Sequence, residues 1–331
     1  MITNITMAAV SNGMGVFKPL YWLFGRCMEG LLYVFNDKYF IALVVFTVLT
    51  RLVLFPLNLK QQKTMAKTSR LQPKIQKIQK KYANLNDPRD RQKQQEEMQE
   101  LYNREGHNPM NMGCGPMIFQ MVFLMGIIGI IYYPIQYIIG VDISSHTEEI
   151  YEALNKVHEL KGQYFQIEIL QNFDLYRETL GAKFPELFTE AKLNAIADYK
   201  SNMYLFGLDM TQIPSFKDWK NPVIIIPLLC LATSFASTLL SQKIQKKQNP
   251  AAAAQGQQMM IMMLMMPFFS FYISFKVSAA VGFYWIISNV VATVQQLVMA
   301  KFFPPKRNVA RQMIEATIER RSREESIKNI K

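Results

Sequence analysis

Apolar and polar residues along this 331-residue chain come in blocks rather than interleaved. Residues 39–59, 113–137, 222–240 and 259–302 carry almost no charge, and each block is long enough for a helical crossing. A helix rises about 1.5 Å per residue, so about 20 residues cross a hydrocarbon core about 30 Å thick. The last block divides at Lys276 into 259–275 and 281–302, which makes five predicted spans. The short alternating strands of a membrane β-barrel are not visible. The pattern predicts an all-α polytopic membrane protein. It argues against a single soluble core, a disordered chain and a fibrous protein.

Between the blocks lie polar segments with helical periodicity of their own. Residues 60–112 read as a helical hairpin: Leu71, Ile75, Ile78 and Tyr82 form one apolar stripe, and Met98, Leu101 and Tyr102 provide the returning one. Asn84 to Pro88 break the pattern, and Asp87, Pro88 and Asp90 supply a cap, a first-turn proline and an acid at the capping-box position. This hairpin is either a solvated charged pair or a basic docking surface for lipid headgroups, ribosomal RNA or a targeting factor. Residues 1–38 contain a stretch, 19–35, in which Tyr21, Trp22 and Tyr33 accompany Arg26 and Glu29, the pattern of an amphipathic helix lying in a membrane interface. Segment 138–221 shows helical patterns at 148–162 and 184–203 and no catalytic signature. Segment 241–258 is a short connector that includes AAAAQGQQ, and 303–331 is a charged tail, helical or disordered, whose basic residues suit anionic lipid or RNA.

Charge sets the predicted topology. Overall, 50% of residues are apolar and 19% charged, and the mean hydropathy of +0.02 conceals the segregation. Segment 60–112 has 12 Lys and Arg against 6 Asp and Glu, 241–258 has three Lys and no acid, and 303–331 has eight basic residues against four acidic. Segment 138–221 reverses the balance, with 8 against 13. The positive-inside rule then places 60–112, 241–258 and the tail in the cytoplasm, and 1–38 and 138–221 outside. The first residues lack the basic region of a signal peptide, and Arg26 directly before Cys27 does not suit a lipoprotein processing site. Three scattered cysteines, Cys27, Cys114 and Cys230, make no disulfide framework. No His lies near a Cys, so no metal site or cofactor is expected.

The polar residues inside the spans carry the candidate chemistry. Arg51 lies 11 residues beyond Phe40, about 17 Å along the helix. A mid-span Arg costs about 3 kcal/mol on insertion scales. No span contains Asp or Glu, so the reading is that this guanidinium meets water in a cavity, or else reaches backbone carbonyls of a neighbouring helix. Polar side chains recur on single faces of the other helices. Thr47 stands one turn from Arg51, Gln120 interrupts an apolar run, Ser237 lies between Ser234 and Ser241, and Trp285, Asn289, Thr293 and Gln296 run down one side of the last span. Together these predict a hydrophilic substrate groove, though each small polar residue alone also suits ordinary helix packing. The fourth span is rich in methionine, including Met259, Met260, Met262, Met263, Met265 and Met266, which either adapts to varied apolar partners or simply faces lipid. No span holds His or Asp, which argues against an intramembrane protease. A small-anion transporter or channel using Arg51 is the alternative, with inverted repeats and broken helices as its expected signature.

Several segments resemble the YidC family of membrane protein insertases: TRLVLFPLNLKQQK (50–63), LQPKIQKIQKKY followed by DPRDRQKQQEEMQELY, HNPMNMGCGPMIFQMVF (107–123) and MMPFFSFYISFKVSAAVGFYWIISNVVATVQQ (265–296). The order and spacing resemble a Gram-positive member. The resemblance implies five helices around a groove that opens to the cytoplasm and bilayer, a single groove Arg matching Arg51, and insertion of nascent membrane proteins without a pore, ATP, enzymatic chemistry or cofactor. It also implies residence in the bacterial cell membrane, with membrane lipids, a Sec translocon, ribosome and targeting receptor as partners, the last three meeting the 60–112 hairpin and the tail. Two departures stand out. The family's Pro-Ala-Gly before the last span is replaced by Ser278-Ala279-Ala280-Val281-Gly282, and a long loop, 138–221, separates the second and third spans.

Overall fold

A computed structural model describes residues 15–82, 87–104, 110–160, 164–248 and 257–304, together with Ile314, Thr317, Ile318 and Arg321. The expected hairpin turn at 83–86, residues 251–256 of the AAAAQGQQ connector and most of the tail lie outside the described residues. The described elements are helical except for one small hairpin. They are α1 (Lys18–Val34), α2 (Tyr39–Val53), α3 (Phe55–Tyr82), α4 (Pro88–Arg104), α5 (Met110–Tyr132), α6 (Pro134–Tyr137), α7 (Thr147–Asn155), α8 (Phe165–Gln171), α9 (Phe173–Lys183), α10 (Glu190–Ser201), strands β1 (Tyr204–Leu205) and β2 (Leu208–Asp209), α11 (Ile225–Gln248), α12 (Gln257–Ser274) and α13 (Ala279–Phe302).

Among the described residues, two helical stretches are long and apolar enough to cross a membrane, Pro222–Ile244 and Ala279–Phe302. A third exists if the pair Tyr39–Val53 and Phe55–Gln62, bent by 47°, counts as one. Met121–Tyr132 and Leu264–Ser274 are shorter apolar helices. The first block is thus a bent pair rather than one straight helix. Pro56 explains the break: it lacks an N–H, and its ring clashes with the carbonyl four residues back. Pro134 likewise disfavours helical backbone at Tyr133, which ends α5 and starts the short α6.

The chain divides into two compact units: Met1–Thr50, Gln120–Phe235 and Met266–Val291 form the first, and Arg51–Phe119, Ala236–Met265 and Ala292–Lys331 the second. In the first unit the buried face of α1 (Tyr21, Phe24, Gly25, Met28, Leu32) meets α5 and α6. The approach is close enough that a Cβ on Gly25 would stand 2.1 Å from the Tyr137 carbonyl oxygen, and one on Gly129 would stand 2.1 Å from the Tyr21 ring. The helix expected to lie amphipathically in an interface therefore has one face taken up by protein; Trp22, Leu23 and Tyr33 remain exposed on it.

Segment 138–221 supplies much of this unit's core. Beyond the two helical stretches expected there, it forms α8 and α9, which bury Phe165, Ile169, Leu170, Phe173, Tyr176 and Leu180. Around α9 pack α7, α8 and α10. The loop also grips the last helix: the first N–H groups of α13, from Ala279 and Ala280, donate to the carbonyls of Gln212 (2.8 Å) and Met210 (2.9 Å). Tyr164 donates to the carbonyl of Lys276 at 2.6 Å. Helix starts leave such donors unsatisfied, and here loop backbone receives them. A proline at either alanine would remove one of these donors.

In the second unit, α3 and α4 form the expected hairpin. Leu71, Ile75 and Leu101 are buried between them, with Ile78, Met98 and Tyr102 packed alongside. Lys81 and Glu97 close its far end at 3.0 Å.

Candidate functional site

Of the eight side chains expected to line a groove, Thr47, Gln120, Trp285 and Asn289 belong to the first unit and Arg51, Ser237, Thr293 and Gln296 to the second. Gln120 sits in α5, but its side chain lies outside the described residues, as do those of Met259, Met260, Met262 and Met263 in α12.

In the first unit Thr47 is buried and turns its hydroxyl onto its own helix, donating to the Leu43 carbonyl at 2.7 Å. That bond satisfies a small polar group without any partner helix. Trp285 is half-buried against the hydrophobic core. Asn289 donates from Nδ2 to Thr233 Oγ1 of α11 at 3.4 Å. Cys230 Sγ, one turn earlier on α11, lies 3.1 Å from the Gly282 carbonyl oxygen of α13. A Cβ on Gly282 would meet Ile226 at 2.6 Å, so the two helices touch closely there. The contacts advance together along both chains, from 230 with 282 to 233 with 289, so α11 and α13 run parallel. One intervening helix, α12, fits that direction.

In the second unit Arg51 is half-buried in the last turn of α2, three residues before the break at Leu54. Ser237 and Thr293 are half-buried on α11 and α13. Ser241 donates to Gln296 Oε1 at 2.6 Å, a second polar link between the same two helices. Beside that bonded pair in sequence, Gln242 Nε2 and Gln295 Nε2 are buried with no hydrogen-bond partner among the described residues, and so is Gln62 Oε1 in α3. Buried amide atoms that protein leaves unbonded are ordinarily satisfied by water, because each otherwise costs about 1–3 kcal/mol.

The structure thus brings Asn289 and Gln296 into contact with α11 through Thr233 and Ser241. Sequence reasoning weighed Ser234, Ser237 and Ser241 as the α11 face and passed over Thr233 and Cys230. The better stripe was legible: Cys230, Thr233, Ser237 and Ser241 recur at i, i+3, i+7 and i+11. The buried glutamines were missed as well, although Gln61-Gln62 and Gln295-Gln296 are conspicuous beside apolar runs.

Comparison with known proteins gives the family. The family model described as 60Kd inner membrane protein matches residues 31–306. Membrane protein insertase YidC 2 of Listeria innocua is 25% identical over 289 residues, covering 87% of this chain and 72% of that protein. Membrane protein insertase YidC of Enterococcus faecalis is 24% identical over 292 residues, 88% of this chain and 76% of that protein. The YidC of Oceanobacillus iheyensis is 37% identical over a shorter 124 residues, 36% of this chain and 47% of that protein. With a family match running from the last turn of α1 to just past α13, the chain belongs to the 60Kd inner membrane protein family, that of YidC and Oxa1.

Proposed function

We propose that this chain is a membrane protein insertase of the bacterial cell membrane, built from five spans around a hydrated groove, with its N-terminus outside and its C-terminus in the cytoplasm. Family membership supports the activity. The observation that supports the groove is the set of buried amide atoms of Gln62, Gln242 and Gln295 that have no hydrogen-bond partner among the described residues, in the same unit as half-buried Arg51.

In this reading a nascent polar segment enters the groove from the cytoplasm and meets Arg51, Ser237, Thr293 and Gln296 of the second unit. Arg51 attracts the segment's acidic residues. Two unit charges about 4 Å apart gain about 4 kcal/mol at an effective dielectric constant near 20. Water in the groove shortens the apolar distance the segment has to cross, and its apolar part leaves into lipid beside α11 and α13. Membrane potential helps draw an acidic tail outward. No bond is made or broken, so the protein works as a chaperone. The basic 60–112 hairpin and tail serve as the docking surface for ribosome, targeting receptor or Sec translocon.

The test is an insertion assay comparing Arg51→Ala with Arg51→Lys on clients with acidic translocated tails. Arg51→Lys should retain most insertion and Arg51→Ala should lose most of it. Equal, normal insertion by both would remove the charge from the mechanism.

A further inference from the structure

The hairpin β1–β2 pairs Tyr204 with Asp209 and Leu205 with Leu208, leaving a two-residue turn, Phe206–Gly207. Both turn residues have positive φ, 52° at Phe206 and 80° at Gly207, as a type I′ turn requires. Asn, Asp or Gly is the ordinary occupant of that first position, and a bulky aromatic there is strained. Phe206 is also 94% exposed. A strained residue that shows its whole ring to the surroundings contributes nothing to the fold, and strain of this kind collects at functional contacts.

The surroundings of the hairpin indicate what it meets. Strand β2 contacts the one-turn 3-10 helix Pro222–Ile224 that opens the apolar stretch Pro222–Ile244. Tyr204 and Gly207 line an open polar cleft together with Asp218, Lys220, Pro222 and Val223, so the turn stands beside the point where the chain becomes apolar. On the same segment Phe216 stacks on Phe275, ring centroids 3.6 Å apart, at the end of α12, and Trp219 beside it is 59% exposed. Segment 204–221 is thereby held between the end of α12 and the start of the apolar stretch Pro222–Ile244. Exposed Phe, Tyr and Trp with Lys217 and Lys220 at such a level form the belt that aromatic and basic residues make at a bilayer's interface.

We propose that the Phe206 turn, with Tyr204 and Trp219, is a membrane anchor that inserts into the interfacial layer of the leaflet where Pro222–Ile244 enters the bilayer. The ligand is phospholipid, taken by apolar and aromatic contact. The proposal rests on the reading that Pro222–Ile244 spans the membrane.

The test uses the full chain in phospholipid vesicles with a fluorescent amino acid encoded at position 206 and, in a second protein, at Leu229. Lipids carrying a nitroxide near the headgroup end of the chain should quench position 206 strongly, and aqueous iodide should quench it weakly; mid-chain nitroxide should quench position 229. If 229 responds to lipid and 206 responds only to iodide, the anchor is wrong and the span stands. If 206 is shielded from both quenchers, protein covers the turn and the lipid assignment is wrong. If neither position senses lipid, the span reading fails and the anchor with it. A companion variant, Phe206→Asn, relieves the turn and should raise the melting temperature in detergent, and the same protein with the fluorophore moved to Tyr204 should lose its quenching by shallow nitroxide lipid. Retention of that quenching would show that Phe206 does not hold the turn in the membrane.

Discussion

At the scale of single residues, each polar group inside an apolar helix has a physical resolution of its own. Thr47 bonds its own helix, Asn289 and Gln296 bond the neighbouring one, and the buried Nε2 atoms of Gln242 and Gln295 have no hydrogen-bond partner among the described residues. The Ser241–Gln296 bond permits a direct measurement. A double-mutant cycle with Ser241→Ala and Gln296→Ala, read by unfolding in detergent or bicelles, should give a coupling energy of about 0.6 kcal/mol and below about 1.7 kcal/mol, the range of such bonds in membrane bundles. A coupling of zero would mean that the two side chains do not depend on each other. Arg51 stands out in the sequence as a costly cation inside an apolar run, and it lies half-buried in the last turn of α2. Phe206 does not stand out, because Phe-Gly is no turn signature and the strain is visible only in the backbone.

At the scale of elements, the α3–α4 hairpin was the most readable part of the chain. Its stripe of Leu71, Ile75 and Ile78 against Met98, Leu101 and Tyr102 is the one found. Sequence offered nothing on the Lys81–Glu97 pair, since it joins residues 16 positions apart on two different helices. The charge-assisted hydrogen bond between the two holds Glu97 below the usual carboxylate range and Lys81 above the usual lysine range. The sign follows for each. The contribution of Glu97 is complete above the ordinary carboxylate value and is lost as pH falls through its lowered one. That of Lys81 is complete below the ordinary lysine value and is lost as pH rises through its raised one. Hydrogen exchange of the 78–82 and 94–98 amides, corrected for intrinsic rates, should therefore show greatest protection near neutral pH, with a small loss at each extreme because the pair is exposed. Glu97→Gln should abolish the acid-side loss; a loss that persists in that variant belongs to other groups. Prolines 56 and 134 were legible as residues but not as breaks, because spans were read by length and apolarity, which a bend leaves unchanged.

At the scale of the whole molecule, the segregation of charge from apolar residues gave the membrane class, and specific motifs gave the family. The long loop 138–221 was less legible. Sequence read it as an external loop with an acidic excess and two helical stretches, yet Phe165, Phe173, Tyr176 and Ile196 are buried within it, so it is a folded part of the first unit. The proposed orientation has a simple check. Cys27 is exposed on α1 and Cys230 is buried. A membrane-impermeant maleimide applied to intact cells should label the protein, and Cys27→Ser should remove that labelling. Labelling of Cys27 only after the membrane is opened would reverse the topology.

The backbone grip on Ala279 and Ala280 has a mechanical consequence. A rod fastened at one end swings only at the other. With its first turn hydrogen-bonded to Met210 and Gln212, the last helix is fixed at its beginning, so under the proposed function any yielding of this helix to a client falls beyond that turn and works against its side-chain bonds to Thr233 and Ser241.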